Sequence, residues 1–123
     1  MTNIPSWIIN GKTLLMTLID LKIEKESLYI LKNKQINYNK IDHFGYIALA
    51  YAILADMNEL SLELVKKKDI DYNFIDPFGE TILMFSIIVN MKEITLELLK
   101  KEDINYNTVN SDGETALILS CKK

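Results

Sequence analysis

The chain has one cysteine, one histidine, two prolines and no arginine among its 123 residues. A lone Cys121 closes no internal disulfide, and His43 without companions builds no His/Cys metal cluster. A reducing, cytoplasmic setting is therefore expected, or the cytosol of a host cell if the source is a parasite or virus. Long apolar runs are also missing. The stretch Leu14 to Ile19 is broken by Thr17 and stopped by Asp20, with no basic segment before it, so neither a signal peptide nor a membrane span is expected. Cationic excess is absent too: 17 acids against 14 lysines leave a net charge of -3. Phosphate-backbone binding needs the opposite balance, so nucleic acid is not an expected partner. What remains is ordinary for a folded chain, with 49% apolar and 25% charged residues and a length that suits one domain over residues 1–123. The heavy use of lysine, isoleucine and asparagine fits A/T-rich coding and carries no functional meaning.

The few glycines are informative. Gly11, Gly45, Gly79 and Gly113 follow one another at intervals of 34 residues, and there are no others. At that same offset Leu28, Leu62 and Leu96 coincide, as do Lys32, Lys66 and Lys100, and Ile36, Ile70 and Ile104. The triplets Tyr38, Tyr72, Tyr106 and Asn39, Asn73, Asn107 complete the register. A period in this range signals stacked supersecondary units that cannot bury their apolar faces alone.

Within a unit, Leu83, Ser86 and Ile87 and then Ile94, Leu98 and Leu99 form two runs with helical spacing, separated near Asn90. Each unit is thus predicted to hold two short helices. Thr13, Thr81 and Thr115 stand where an N-cap belongs, whereas Ile47 cannot supply the capping oxygen. Between helix pairs lie segments such as Asp103 to Gly113, mixing β-branched residues with Asn, Asp and Gly, which predicts an extended finger with a tight turn.

Asp76-Pro-Phe-Gly-Glu-Thr-Ile-Leu and Asn110-Ser-Asp-Gly-Glu-Thr-Ala-Leu resemble the D-x-x-G-x-T-P-L opening of the ankyrin repeat. Asp69-Ile-Asp-Tyr-Asn and Asp103-Ile-Asn-Tyr-Asn stand in the place of its closing G-A-D-V-N. The resemblance covers an N-terminal unit at about 7–41, full units at 42–75 and 76–109, and an incomplete one at 110–123. It implies an all-α fold, an α-solenoid of stacked helix-turn-helix units with extended β-hairpin-like fingers. Leu14, Ala48, Ile82 and Ala116 replace the family's proline, and Met16, Ala50, Met84 and Ile118 its histidine. The hydrogen-bond network that usually ties such units is therefore expected to be missing, leaving cohesion more apolar. Tetratricopeptide repeats share the 34-residue period, but they carry a tryptophan at a set position and join helices by short turns. Trp7 is the only tryptophan here and the connectors are long.

No catalytic constellation is visible. Nucleophilic catalysis needs Ser or Cys beside a base and an orienting acid, and His43 stands alone in a predicted turn. A non-enzymatic protein without cofactor, metal or small-molecule ligand is expected. Cys121 aligns with Ile53 and Ile87 and reads as a small packing residue. The lysines at 66–68 and 100–101 fall at predicted helix C-termini, where the dipole favours positive charge. Tyr38, Tyr72 and Tyr106 alternate with isoleucines along extended segments, which suits packing between neighbouring fingers.

Ankyrin proteins bind partners with finger tips and the inner face of their first helices, and the resemblance carries that role onto particular residues. The tips are Ile41, His43, Phe44 and Tyr46, then Phe74, Ile75, Phe78 and Glu80, then Asp112 and Glu114. The inner helix face adds Leu54 and Ile88. Several are large and apolar, and two readings stay open. Either they form an exposed strip, which on soluble proteins marks an interface, or Ile41, Ile75 and Phe44 tuck inward as finger core. The implied function is a protein-protein interaction module that holds another protein in a concave groove. The alternative is a self-associating or structural segment of a longer ankyrin-repeat protein.

Overall fold

A computed structural model describes residues 12–122, among which seven helices alternate with irregular connectors. Three helix pairs follow in order: α1 (Leu14–Asp20) with α2 (Glu24–Asn33), α3 (Ala48–Leu54) with α4 (Asn58–Val65), and α5 (Ile82–Ile88) with α6 (Lys92–Leu99). A seventh helix, α7 (Ala116–Lys122), stands in register with α1, α3 and α5. Two helices per repeat thus form where the apolar spacing predicts them. Trp7 and Gly11, at the start of the first repeat, lie outside the described residues.

Local chemistry sets the helix boundaries. The Thr13 hydroxyl accepts from the Met16 amide at 3.2 Å, Thr81 from Met84 at 3.1 Å and Thr115 from Ile118 at 3.3 Å. Ile47 makes no cap bond but is fully buried, so its side chain contributes to the core instead. At the other end the first helices stop on Lys22, Asp56 and Asn90, all with positive φ. There the Asn90 amide donates to the Ile87 carbonyl at 3.0 Å and the Met91 amide to the Ser86 carbonyl at 2.8 Å. This left-handed stop satisfies the carbonyls left free at a helix end and turns the chain into the second helix.

The helices contact one another in two rows. α1, α3, α5 and α7 touch in succession, α2, α4 and α6 likewise, and each pair is also joined internally. The core runs along these contacts through Leu15, Leu49 and Leu83 and through Leu60, Leu64, Ile94 and Leu98, all buried. Each such side chain contributes about 1.5–3 kcal/mol on burial.

The connectors differ from the expectation of β-hairpin-like fingers. Among the described residues they contain no strand, only one isolated antiparallel bridge between Ile75 and Thr81. Side chains take the backbone groups that a ladder would have used. Oδ1 of Asp42 accepts from the amides of Phe44 and Tyr46 at 3.0 and 3.1 Å. Asp76 repeats this with Phe78 and Glu80, and Asn110 with Asp112 and Glu114. The acid or amide that opens each turn is thereby explained by the turn itself.

A second expectation is also corrected: the units are tied by polar bonds as well as apolar packing. The Asn39 side chain donates to the Asp69 carbonyl at 2.7 Å and accepts from the Asp71 amide at 2.9 Å. One repeat on, Asn73 does the same to Asp103 and Asn105, at 2.9 and 2.8 Å. Beside them the hydroxyls of Tyr38 and Tyr72 donate to the carboxylates of Asp69 and Asp103. The lysines at the helix ends also reach across. Lys101 Nζ donates to the Val65 carbonyl at 3.0 Å and Lys67 Nζ to the Leu31 carbonyl at 3.5 Å. Successive units are thus joined by polar contacts at recurring positions.

Neighbouring turns are in contact at the glycines. A Cβ on Gly45 would lie 2.6 Å from Pro77 Cγ, one on Gly79 3.1 Å from Asn110 Cα, and one on Gly113 would meet nothing within 4 Å. All three have φ between +77° and +88°, so alanine at any of them costs about 1–2 kcal/mol in backbone strain. Urea unfolding should therefore rank the variants: Gly113→Ala shows that strain alone, while Gly79→Ala and Gly45→Ala are less stable than it because they also separate adjacent turns.

Candidate protein-binding face

Polar and aromatic contacts join the turns at Asp42 and Asp76 to α1, α3 and α5. At its N-terminal end Lys12 Nζ lies 3.1 Å from Asp20 and 3.3 Å from Asp42. The same ammonium sits 4.0 Å from the centre of the Tyr51 ring and 5.6 Å from that of Phe44. Tyr51 donates its hydroxyl to Asp42, and Tyr46 donates to Asp76 at 2.9 Å. Tyr46 also packs 5.7 Å from Tyr51 and 6.4 Å from Phe85, centre to centre. The face is thus cross-braced from α1 to α5.

This bracing shifts the titrations. Burial, followed by the bond to Asp76, pushes Tyr46 up to about 12, and burial with the bond to Asp42 does the same to Tyr51. Burial alone would raise Asp42, but the donors Tyr51, the Tyr46 amide and Lys12 outweigh it and hold its carboxyl below the usual range. Lys12 is held up: burial opposes its charge, and the bonds to Tyr51 and Asp20 overcome that. The C-terminal half differs. Burial and the nearby charge of Asp76 raise the Glu80 carboxyl, against the opposing effect of the Asn110 side-chain amide, which donates to it at 3.5 Å. Glu114 is lowered by its bonds to Lys122 and Asn110.

The residues expected at the tips divide by exposure. Ile41, His43, Phe44, Ile75, Phe78 and Asp112 are exposed, as is Leu54 at the end of α3. Phe44 and Phe78 keep 57% and 61% of their surface in solvent. Ile41, Ile75 and Phe44 are therefore not folded inward as finger core. Tyr46, Glu80, Ile88 and Glu114 are half-buried, on the flank of the strip. Phe74 is a correction: it is only 5% exposed and belongs to the core. It precedes the turn, and of its neighbours Ile75 is exposed while Asn73 is half-buried.

Cys121 is a second correction. It is exposed, although Ile53 at the same repeat position is fully buried. Among the described residues nothing packs on that side of α7. His43 is exposed in its turn as expected. Sequence reasoning missed Lys12, Asp42 and Tyr51. Tyr51 aligns with Thr17, Phe85 and Leu119, and this variation from repeat to repeat on the first helix is the signal that could have found it.

Among the described residues no group of three or more His, Cys, Asp or Glu is placed to hold a metal ion, and no helix is long and apolar enough to cross a membrane. No protein-family model matches the chain, and no curated protein matches it.

The raised carboxyl of Glu80 gives a pH test. A group whose folded-state pKa is raised binds its proton more tightly in the native state, so its ionisation opposes folding as pH climbs through that value. Glu80→Gln should therefore stabilise the protein near pH 7.5, by about 0.5 kcal/mol after solvent screening. The gain should fade as pH drops below the usual carboxylate range, as thermal unfolding at both pH values would show.

Proposed function

We propose that the chain is a solenoid of ankyrin type that binds a partner protein and performs no chemistry of its own. The 34-residue register of glycine turns, the two helices per unit and the two contact rows support the architecture. A cytosolic setting suits it.

Phe44 and Phe78 carry the functional reading. They are exposed aromatic side chains at the same position of two touching turns, whose backbones are fixed by Asp42 and Asp76. Neither ring is needed for the turn, since only the amides take part. Large apolar groups held out on a rigid frame are the usual anchors of an interface, because little conformational entropy is lost when a partner covers them. Ile41, Ile75 and Leu54 widen the strip, and Glu80, Asp112 and Glu114 border it with negative charge. The partner would meet this groove with an apolar segment.

Phe44→Ala and Phe78→Ala should each leave unfolding in urea almost unchanged, as both rings are exposed. Together they should remove a partner from quantitative affinity capture out of the native cell, each anchor being worth about 2 kcal/mol. An unchanged capture profile from the folded double variant would reject this groove.

A further inference from the structure

One ammonium is held more closely than its turn requires. Lys12 Nζ lies 3.1 Å from Asp20 and 3.3 Å from Asp42, with the ring centres of Tyr51 and Phe44 at 4.0 and 5.6 Å. Two acids and two aromatic faces around one cation make an ammonium cage, in which charge, hydrogen bonds and ring quadrupoles act together. The Asp42 side chain is wholly buried, whereas that of Asp20 is 44% exposed and Phe44 is exposed as well. The cage therefore has a closed floor at Asp42 and a mouth at Phe44, which also belongs to the finger-tip strip.

The following units show that the turn does not need this cation. One repeat on, Tyr46 stands in the place of Lys12 and holds Asp76 with a neutral hydroxyl at 2.9 Å. After a further repeat the acid itself is replaced: Asn110 opens the turn, and its side-chain amide donates to Glu80 at 3.5 Å. All three turns keep the same pair of amide bonds, so the charged contact in the first is additional to the turn. Nor does α1 depend on Lys12, being capped by Thr13 and anchored by the buried Leu15, Met16 and Ile19. The charges are also unequal. Among the described residues Lys12 is the only cation paired with either acid, which leaves one negative charge in the cage.

We propose that this cage is a receptor for a lysine side chain of the partner, closed in the free protein by Lys12, whose ammonium the incoming one replaces. Resting on the reading of the finger-tip strip as the binding face, the cage adds the partner's chemistry: a lysine beside the apolar segment that covers Phe44. A partner seated on Phe44 meets the mouth at once. The residual negative charge attracts its ammonium, with Asp20 as the accessible acid. Lys12, on its flexible stem, then turns out into solvent, and the buried Asp42 carboxylate keeps a cation throughout. Both carboxylates need N–H donors, so an unmodified lysine fits, whereas an acetylated or trimethylated one does not.

The probe is Nα-acetyl-lysine N-methylamide, titrated into the whole protein and followed by NMR at the rings of Tyr51 and Phe44. Lys12→Ala should bind it saturably, and the unaltered protein about tenfold more weakly, because its own lysine competes. The Nε-acetylated and Nε-trimethylated probes should bind neither. If Lys12→Ala is poorly folded, the unmodified probe should raise its thermal unfolding midpoint while the acetylated one does not. Phe78→Ala, outside the cage, should leave probe binding unchanged, so cage and groove can fail separately. In affinity capture from the native cell, Lys12→Ala should retain the partner more strongly than the unaltered protein. A Lys12→Ala protein neither saturated nor stabilised by the probe up to about 20 mM, or one that takes the acetylated probe equally well, would overturn the proposal. So would equal affinity of the two proteins for the probe, or weaker capture by Lys12→Ala, since Lys12 would then be a structural tie.

Discussion

Each helix pair leaves one side of its apolar residues uncovered, and everything else in the structure follows from how the next pair covers it. Val65 is fully buried where α6 lies against α4, whereas Leu99 at the equivalent position of α6 is 51% exposed. Apolar contact of this kind supplies most of the free energy but has little preference for register. Register comes from Asn39 and Asn73, each of which donates to and accepts from the following connector and so admits a single alignment. Packing holds the units together, and the asparagines decide where.

The same division explains the exposed face. Asp42 and Asp76 satisfy the turn amides with one carboxylate oxygen and receive Tyr51, Lys12 or Tyr46 on the other. The turns are thereby rigid without using the side chains at their tips. The rings of Phe44 and Phe78 take no part in the turn bonds, although Lys12 lies 5.6 Å from the centre of the Phe44 ring, and both can vary with the requirements of a partner. Conserving the frame while varying the tips lets one scaffold serve different targets, since fold and function lie on separate residues.

Much of this was legible in the sequence because it repeats. The glycine spacing located the turns, and the threonines before Leu14, Ile82 and Ala116 located the helix starts, because capping is a local interaction. The same alignment, with the resemblance to ankyrin repeats, placed Ile41, Phe44, Ile75 and Phe78 at the tips but left open whether Ile41, Ile75 and Phe44 tuck inward, and the structure exposes all four. Phe74 is not exposed as expected: it is adjacent to the exposed Ile75, and the three-dimensional path of the connector turns it inward. The polar network between units was hidden for another reason. Tyr38 and Asn39 recur visibly, but their partners Asp69 and Asp71 lie some thirty residues away, and a pairing at that distance cannot be read from the identity of either residue. The fingers were expected to be strands from their β-branched residues, a preference that the side-chain bonds to the turn amides override.

Amide hydrogen exchange followed by NMR tests the central claim directly, at Asp71 and Asn105. Both residues are solvent-exposed, so their amides should exchange like those of an open chain unless Asn39 and Asn73 hold them. The account predicts protection at both, lost at Asp71 alone when Asn39 becomes alanine. Free exchange at both amides in the unaltered protein would contradict it.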